Sequence, residues 1–206
     1  MVPFASRIAQ QRRRRAPQTF ALLAGLLWPA AGGGTPGSAV DREGIELLGR
    51  PAPAWQAGRW FNSPPLALHD LAGKVVLVRW FMSPSCPLCS ATAPSLNQLW
   101  RAYRDRGLVV VGMYHHKEAA PLDPDAVAGY LRHFGFEFPV AIDPDWRTLR
   151  RWWLDGHERS FTSVTFLIDR AGVIRHIHAG GKLAPGSPDF QRMRDAIEEL
   201  LGPQRR

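Results

Sequence analysis

Cysteine is nearly missing from this chain: two residues among 206, Cys86 and Cys89, three positions apart. That count excludes a framework of structural disulfides, which needs cysteines far apart to close long loops. A ring between positions three apart constrains almost no chain entropy, so the pair reads as chemical rather than structural. It also excludes a four-cysteine zinc site, because no second pair is present. The apolar stretch at residues 19–31 (TFALLAGLLWPAA) has 13 residues, short of the roughly 20 that span a bilayer. Acidic residues are absent from residues 1–31, which hold Arg7, Arg12, Arg13, Arg14 and Arg15. Five of the eight net positive charges therefore sit in that segment. The remaining excess is ordinary surface charge, and nucleic acid is not expected as a partner.

What is present suits one domain with a tail. Apolar residues make up 45% of the chain, and eight tryptophans add large buried surfaces. A basic head, a short apolar middle and small residues after it form the three-part pattern of a secretory signal. Residues 1–31 are expected to be a signal peptide, with Arg14-Arg15 a weak twin-arginine feature and a disordered basic tail the alternative. No cysteine lies near the expected cleavage point, which argues against a lipoprotein. Residues 32–44, rich in Gly, Pro and Ser, read as a flexible linker, leaving 45–203 as the folded domain. Export to a bacterial periplasm or cell envelope follows, with no stable membrane span after signal cleavage.

The domain alternates strand and helix patterns. Short strands are expected at Ile45–Leu48 and Leu66–Leu68. KVVLVRWF (Lys74–Phe81) is a β-branched apolar run that predicts a buried strand. A helix follows over Pro87–Arg106, with Leu96, Leu99, Trp100 and Tyr103 on one face and Gly107 ending it. Leu108–Tyr114 predicts a second buried strand. Asp123 and Pro124 mark the start of a helix to Phe134. A strand at Phe138–Ile142 is followed by a short helix from Pro144 to about Trp153, capped by Asp143. Ser163–Asp169 and Gly172–His178 predict a hairpin, and Asp189–Leu201 a last helix. This order predicts an α/β fold in three α/β/α layers, with a mixed, mostly parallel central sheet, an inserted strand–helix unit and a short N-terminal β extension. Functional groups in such sheets collect beyond the carboxyl ends of the parallel strands.

Cys86-Pro87-Leu88-Cys89 stands at that place, between a strand end and a helix start. The unpaired N–H groups and positive dipole end of a helix favour an anion, and a thiolate is such an anion and a nucleophile. Pro87 fits the first turn, where its missing N–H is not needed. Cys89, one turn on, is within reach of a mixed disulfide formed on Cys86. Cys86 is thus the expected nucleophile and Cys89 the resolving thiol.

Trp80-Phe81 before this motif, Pro94 in the helix, and Thr165-Phe166-Leu167-Ile168-Asp169 with Gly172 resemble the TlpA/ResA group of bacterial envelope thioredoxins over about residues 45–202. The resemblance implies a thioredoxin-like fold, an exported, membrane-facing location, and dithiol–disulfide exchange with protein partners and an upstream electron donor, with no cofactor and no metal. Three departures stand out. Ser163 occupies the position of the family's cis-proline, which serine adopts only at about 3 kcal/mol. Thr92 stands where some members carry a helix glutamate. The segment from Arg79 to Ser85 is one residue longer than the family's, and the acidic or amide proton acceptor at the strand end is missing. Peroxiredoxins resemble the same segment at one point: Ser83 lies three residues before Cys86, as their Thr or Ser does, whereas Arg79 and Ser163 stand where they carry Pro and Arg. A thiol peroxidase with Cys86 as peroxidatic cysteine is therefore one alternative. A copper-binding chaperone using Cys86, Cys89 and a histidine is another.

His115 and His116 follow a core strand on the side of the motif and are expected either to titrate near Cys86 or, more simply, to lie in an exposed loop. His176 and His178 alternate along one strand and are read as edge-strand surface. In the helix of Trp146, Trp152 and Trp153, the tryptophans are expected to pack on the sheet and Arg147, Arg150 and Arg151 to face water. Gly180-Gly181 reads as a turn or close approach, and Asp169 as a turn residue.

Overall fold

A computed structural model describes residues 42–203, so the expected signal peptide and almost all of the expected linker lie outside the described residues. The apolar runs form six strands: β1 (Trp60–Phe61), β2 (Val75–Phe81), β3 (Leu108–Tyr114), β4 (Val140–Ile142), β5 (Thr165–Ile168) and β6 (Ile174–His178). They make one sheet in the order β1-β4-β3-β2-β5-β6. Parallel pairing is confined to β2–β3 and β3–β4. The pairs β1–β4, β2–β5 and β5–β6 are antiparallel. The sheet is mixed, as expected, but parallel pairings do not predominate, because both edges are completed by antiparallel strands.

Two cores lie on opposite faces of this sheet. Along β2, Val75, Leu77 and Phe81 face the core built with α1 (Pro87–Tyr103), α2 (Pro124–Phe134) and α4 (Pro188–Leu201). Val76, Val78 and Trp80 face the other, with Trp152, Trp153 and Trp55. Alternating side chains of one strand thus serve two layers. The second layer is a composite: a 3-10 turn (Pro144–Trp146), α3 (Arg147–Leu149) and a π turn (Arg150–Leu154). Asp143 caps α3 rather than the first turn, accepting from the backbone N–H of Thr148 at 2.9 Å and Leu149 at 2.8 Å. As expected, Trp152 and Trp153 are buried and Arg147, Arg150 and Arg151 exposed.

The helix starts follow the sequence signals. Asp123 accepts from Asp125 N–H at 2.9 Å at the start of α2, with Pro124 first in the helix. α1 continues as a 3-10 turn to Arg106 and ends at Gly107, whose φ of 102° is open to glycine at no steric cost. The N-terminal strands are corrected. Ile45–Leu47 and Leu68–Leu71 are 3-10 turns, and the strand that does form there is Trp60–Phe61 on β4. Three or four apolar residues carry too little periodicity to separate turn from strand. Among the described residues no helix is long and apolar enough to cross a membrane.

Candidate active site

The site is assembled where β2 ends and α1 begins. Cys86 is the N-cap of α1, and its Sγ accepts the backbone N–H of Cys89 at 3.3 Å. Pro87 occupies the first turn. The sulfur thus takes the place usually held by a capping oxygen, and a free helix-start N–H points at it. Both cysteines are free; Cys86 is half-buried, and Cys89 is 3% exposed. Cys89 belongs to the inward stripe of α1 with Thr92, Ala93, Leu96, Leu99 and Tyr103, spaced by three and four. Helical periodicity therefore drives one sulfur into the core and leaves its neighbour at the rim.

Cys89 Sγ accepts the N–H of Met82 at 3.4 Å and lies 3.6 Å from Ser163 Oγ. Burial pushes its thiol up; the hydrogen bond with Cys86 acts the same way, and Met82 and Ser163 oppose both. Ser163 is buried, and the neighbouring Val164 carbonyl accepts the N–H of Trp80 at 3.0 Å. Ser163 is therefore beside the buried sulfur, presenting a hydroxyl at the position where the TlpA/ResA group carries its proline. Thr92 is a positioning residue: its hydroxyl donates to Leu88 carbonyl at 2.8 Å and accepts Leu183 N–H at 3.0 Å, tying the first turns of α1 to the loop before α4.

Ser83 is buried but does not address Cys86 with its side chain. Its hydroxyl bonds to Glu118, which also accepts from Ser85 at 3.0 Å. Only its carbonyl reaches Cys86, accepting the backbone N–H at 3.0 Å. These two hydroxyls hold the Glu118 carboxyl below the usual range. The peroxiredoxin-like hydroxyl is thus tied to a carboxylate rather than placed on the sulfur.

His115 corrects the expectation of an exposed loop: it is fully buried. Its Nε2 is 3.0 Å from Thr162 Oγ1, and its ring meets Trp146 edge-on. Burial, then Lys117 and Arg79, push it down to about 3, so it is neutral. His116 is held elsewhere, with Nδ1 3.0 Å from the Tyr114 hydroxyl and Nε2 donating to Ala120 carbonyl at 2.6 Å. Among the described residues no three His, Cys, Asp or Glu side chains are grouped as metal ligands. His176 and His178 are likewise not open edge surface: both are partly buried, and His178 Nε2 lies 3.7 Å from Asp189 of α4.

Two participants were not anticipated. Glu118 lies 35 positions from Ser83, so no local pattern pairs them. Arg79 did carry a signal, a charge in the middle of a run buried on both faces. It is 0% exposed and shares the parity of Leu77 and Phe81, the α1 side of the sheet. Nη1 donates to Thr165 Oγ1 at 3.0 Å and Nη2 to Gly181 carbonyl at 3.2 Å, while Nε has no partner. The Gly180-Gly181 turn is a close approach, as expected: a Cβ on Gly180 would stand 2.3 Å from Phe161 Cβ.

Known proteins share this fold. The model of the AhpC/TSA family matches residues 48–177. Protein DipZ of Mycobacterium bovis is 34% identical over 124 residues, 59% of this chain and 17% of DipZ. The chain thus spans about a sixth of that relative's length. The thiol-disulfide oxidoreductase ResA of Bacillus thuringiensis is 27% identical over 135 residues, covering 66% of this chain and 70% of ResA. YkuV of Bacillus subtilis, also named a thiol-disulfide oxidoreductase, is 26% identical over 59% of this chain and 78% of its own. Among solved structures, a thiol-disulfide isomerase from Corynebacterium glutamicum superposes with a TM-score of 0.59 at 28% identity, over 74% of this chain and 98% of that one. The thioredoxin-like superfamily protein SPOA0173 gives 0.61 at 29%, over 75% and 97%. The fold is thioredoxin-like.

Proposed function

Since the chain belongs to the AhpC/TSA family, we propose that it is a thiol–disulfide oxidoreductase working on protein partners through Cys86 and Cys89. The observation that carries this reading is the pairing of a half-exposed sulfur at a helix start with a buried one a single turn inward. The Cys86 thiolate attacks a partner's disulfide. One S–S bond breaks, a mixed disulfide forms, and the first partner thiolate leaves. Cys89 then attacks the Cys86 sulfur, gives up its proton to the departing second thiolate, and closes the Cys86–Cys89 disulfide. The partner has gained two electrons and the protein has lost two. An upstream dithiol donor returns them, and the same steps in reverse oxidise a partner.

The names of ResA and YkuV support this reading. So does a concave surface of about 630 Å³ lined by Ser83, Ser85, Tyr114, Glu118 and Tyr130, which begins one residue before Cys86 and gives a partner segment somewhere to lie. Pro87 is exposed at the rim and Ser163 buried behind the pair, positions suited to contact with a bound partner and with Cys89 respectively. His115 supports the Thr162–Ser163 segment from below. The basic and apolar pattern of residues 1–31 supports export as a signal peptide, with residues 45–203 as the working domain in the periplasm or envelope.

Reduction of insulin disulfides with a dithiol donor tests the reading. Wild type is expected to turn over, Cys86→Ser to fall to background, and Cys89→Ser to accumulate a mixed disulfide with the substrate. Equal rates for wild type and Cys86→Ser contradict it.

A further inference from the structure

We propose that the groove beside Cys86 selects partners that carry a lysine or arginine next to the cysteine under attack, with the Glu118 carboxylate as the group that reads that charge. The proposal rests on the exchange reading above and names the substrate class for the same site.

The groove is joined to the reacting sulfur by short links. Its wall begins at Ser85, the residue before Cys86. Ser85 Oγ donates to Glu118 Oε1 at 3.0 Å, and the Ser83 hydroxyl donates to the same oxygen. The Ser83 carbonyl in turn accepts the Cys86 N–H at 3.0 Å. A partner segment bonded to Cys86 and lying in the groove therefore brings the residue next to its cysteine over Ser85 and the Glu118 carboxylate. Both hydroxyls use Oε1, which leaves Oε2 for that residue.

The wall is pinned on either side of Glu118. Trp146 Nε1 donates to His116 carbonyl at 2.7 Å, and His116 Nε2 donates to Ala120 carbonyl at 2.6 Å. Trp146 does this from a left-handed φ of 60°, where a bulky residue is an outlier. Strain of that kind persists only where the surroundings fix it.

The charge of the groove is one-sided. Asp123 lines it together with Glu118, and among the described residues no Lys or Arg does. Asp123 Oδ1 accepts the Asp125 N–H at 2.9 Å, which uses one of its two oxygens. The cations of the flanking segments are engaged elsewhere: Arg59 with Asp125, Arg147 with Asp145, and Lys117 over the Trp146 ring. Pro84, Ala119, Ala126 and Tyr130 complete the lining. Small apolar surface suits the methylene stem of a Lys or Arg whose charged head reaches the carboxylates, and a tyrosine ring takes a cation on its face. An acidic segment meets two like charges in the same place.

The test is single-turnover reduction of symmetric peptide disulfides by the reduced protein at low salt, the peptides differing only in whether Lys, Gln or Glu adjoins the cysteine. Each rate is divided by that of a small neutral dithiol on the same peptide, which removes intrinsic reactivity. Wild type is expected to favour the Lys peptide over the Glu peptide about 10-fold, with Gln between, and to lose most of that preference at high salt. The chain as a whole carries +8, a field that favours the Glu peptide, so a Lys preference reports the groove. Glu118→Gln is expected to cut the preference to about 3-fold by slowing the Lys peptide and speeding the Glu peptide. A general loss of structure does not produce such opposite changes. Glu118→Asp is expected to keep the wild-type order. A wild-type preference below about twofold, or one that Glu118→Gln leaves in place, overturns the proposal while leaving the exchange reading intact. Should Glu118→Gln not fold, Asp123→Asn, which keeps a good cap on α2, and the salt dependence decide: a preference that neither reduces overturns the proposal. Peptides that wild type reduces no faster than Cys86→Ser remove the exchange reading and this proposal with it.

Discussion

The two faces of the central sheet treat their buried charges in opposite ways. On the tryptophan face, the Asp143 carboxylate accepts three hydrogen bonds, from Trp80 Nε1 at 2.9 Å and from the backbone of Thr148 and Leu149. On the cysteine face, Arg79 has two neutral partners and an unpartnered Nε. The first arrangement is complete within the protein and fixes a helix start. The second leaves a buried cation with neutral partners and one N–H unmatched. Most buried polar groups find partners, so the unmatched one on the cysteine face is the exception that needs a reason.

Breaking the tryptophan face should cost stability and spare chemistry. Trp152, packed on Trp55, Trp80 and Phe166, is the largest test: Trp152→Ala is expected to lower unfolding free energy by about 3–5 kcal/mol. The glutathione equilibrium of the folded fraction should stay at the wild-type value. Asp143→Ala comes next. It leaves an indole N–H and two backbone N–H groups without partners, at about 3 kcal/mol by denaturant unfolding, again with the redox equilibrium unmoved.

How much of this was legible in the sequence differs along the chain for physical reasons. Leu108–Tyr114 and Pro124–Phe134 have the bounds that their patterns predict, because an apolar run bounded by Gly107 and a helix opened by Asp123-Pro124 are decided locally. The placement of Cys86 at a helix start was readable for the same reason, since strand, Pro and helix periodicity all lie between Val75 and Tyr103. The N-terminal pieces were not, because β1 is two residues whose conformation is fixed by pairing with β4. His115 was misplaced because its burial depends on Trp146 and Thr162, far along the chain. Arg79 stood in plain sight as a charge in a buried strand, but what it faces is set by the register of β2 with β5.

The histidines sharpen the comparison through pH. His115 and His178 are held neutral in the folded protein, down to about 3 and about 4, by burial first. The unfolded chain protonates both near 6.5, so below that pH the unfolded state binds more protons and stability falls as pH falls. Each histidine contributes about 1.4 kcal/mol per pH unit, or about 2 kcal/mol at pH 5, and the loss continues until the folded-state values are reached. Unfolding at pH 7 and pH 5 should show His115→Gln with a smaller difference than wild type. The smallest effect is expected at the rim. Glu118→Gln removes a charge held by Ser83 and Ser85 and should leave unfolding midpoints nearly unchanged, while altering the rate of insulin reduction by a few-fold at most.

The most direct measurement is the mass and thiol count of the protein equilibrated across glutathione buffers. The account predicts one reversible two-electron transition, with loss of two hydrogens and of both free thiols, and with the bond mapped to Cys86 and Cys89 within one chain. Cysteines that stay reduced throughout, or that oxidise only between chains, would contradict it.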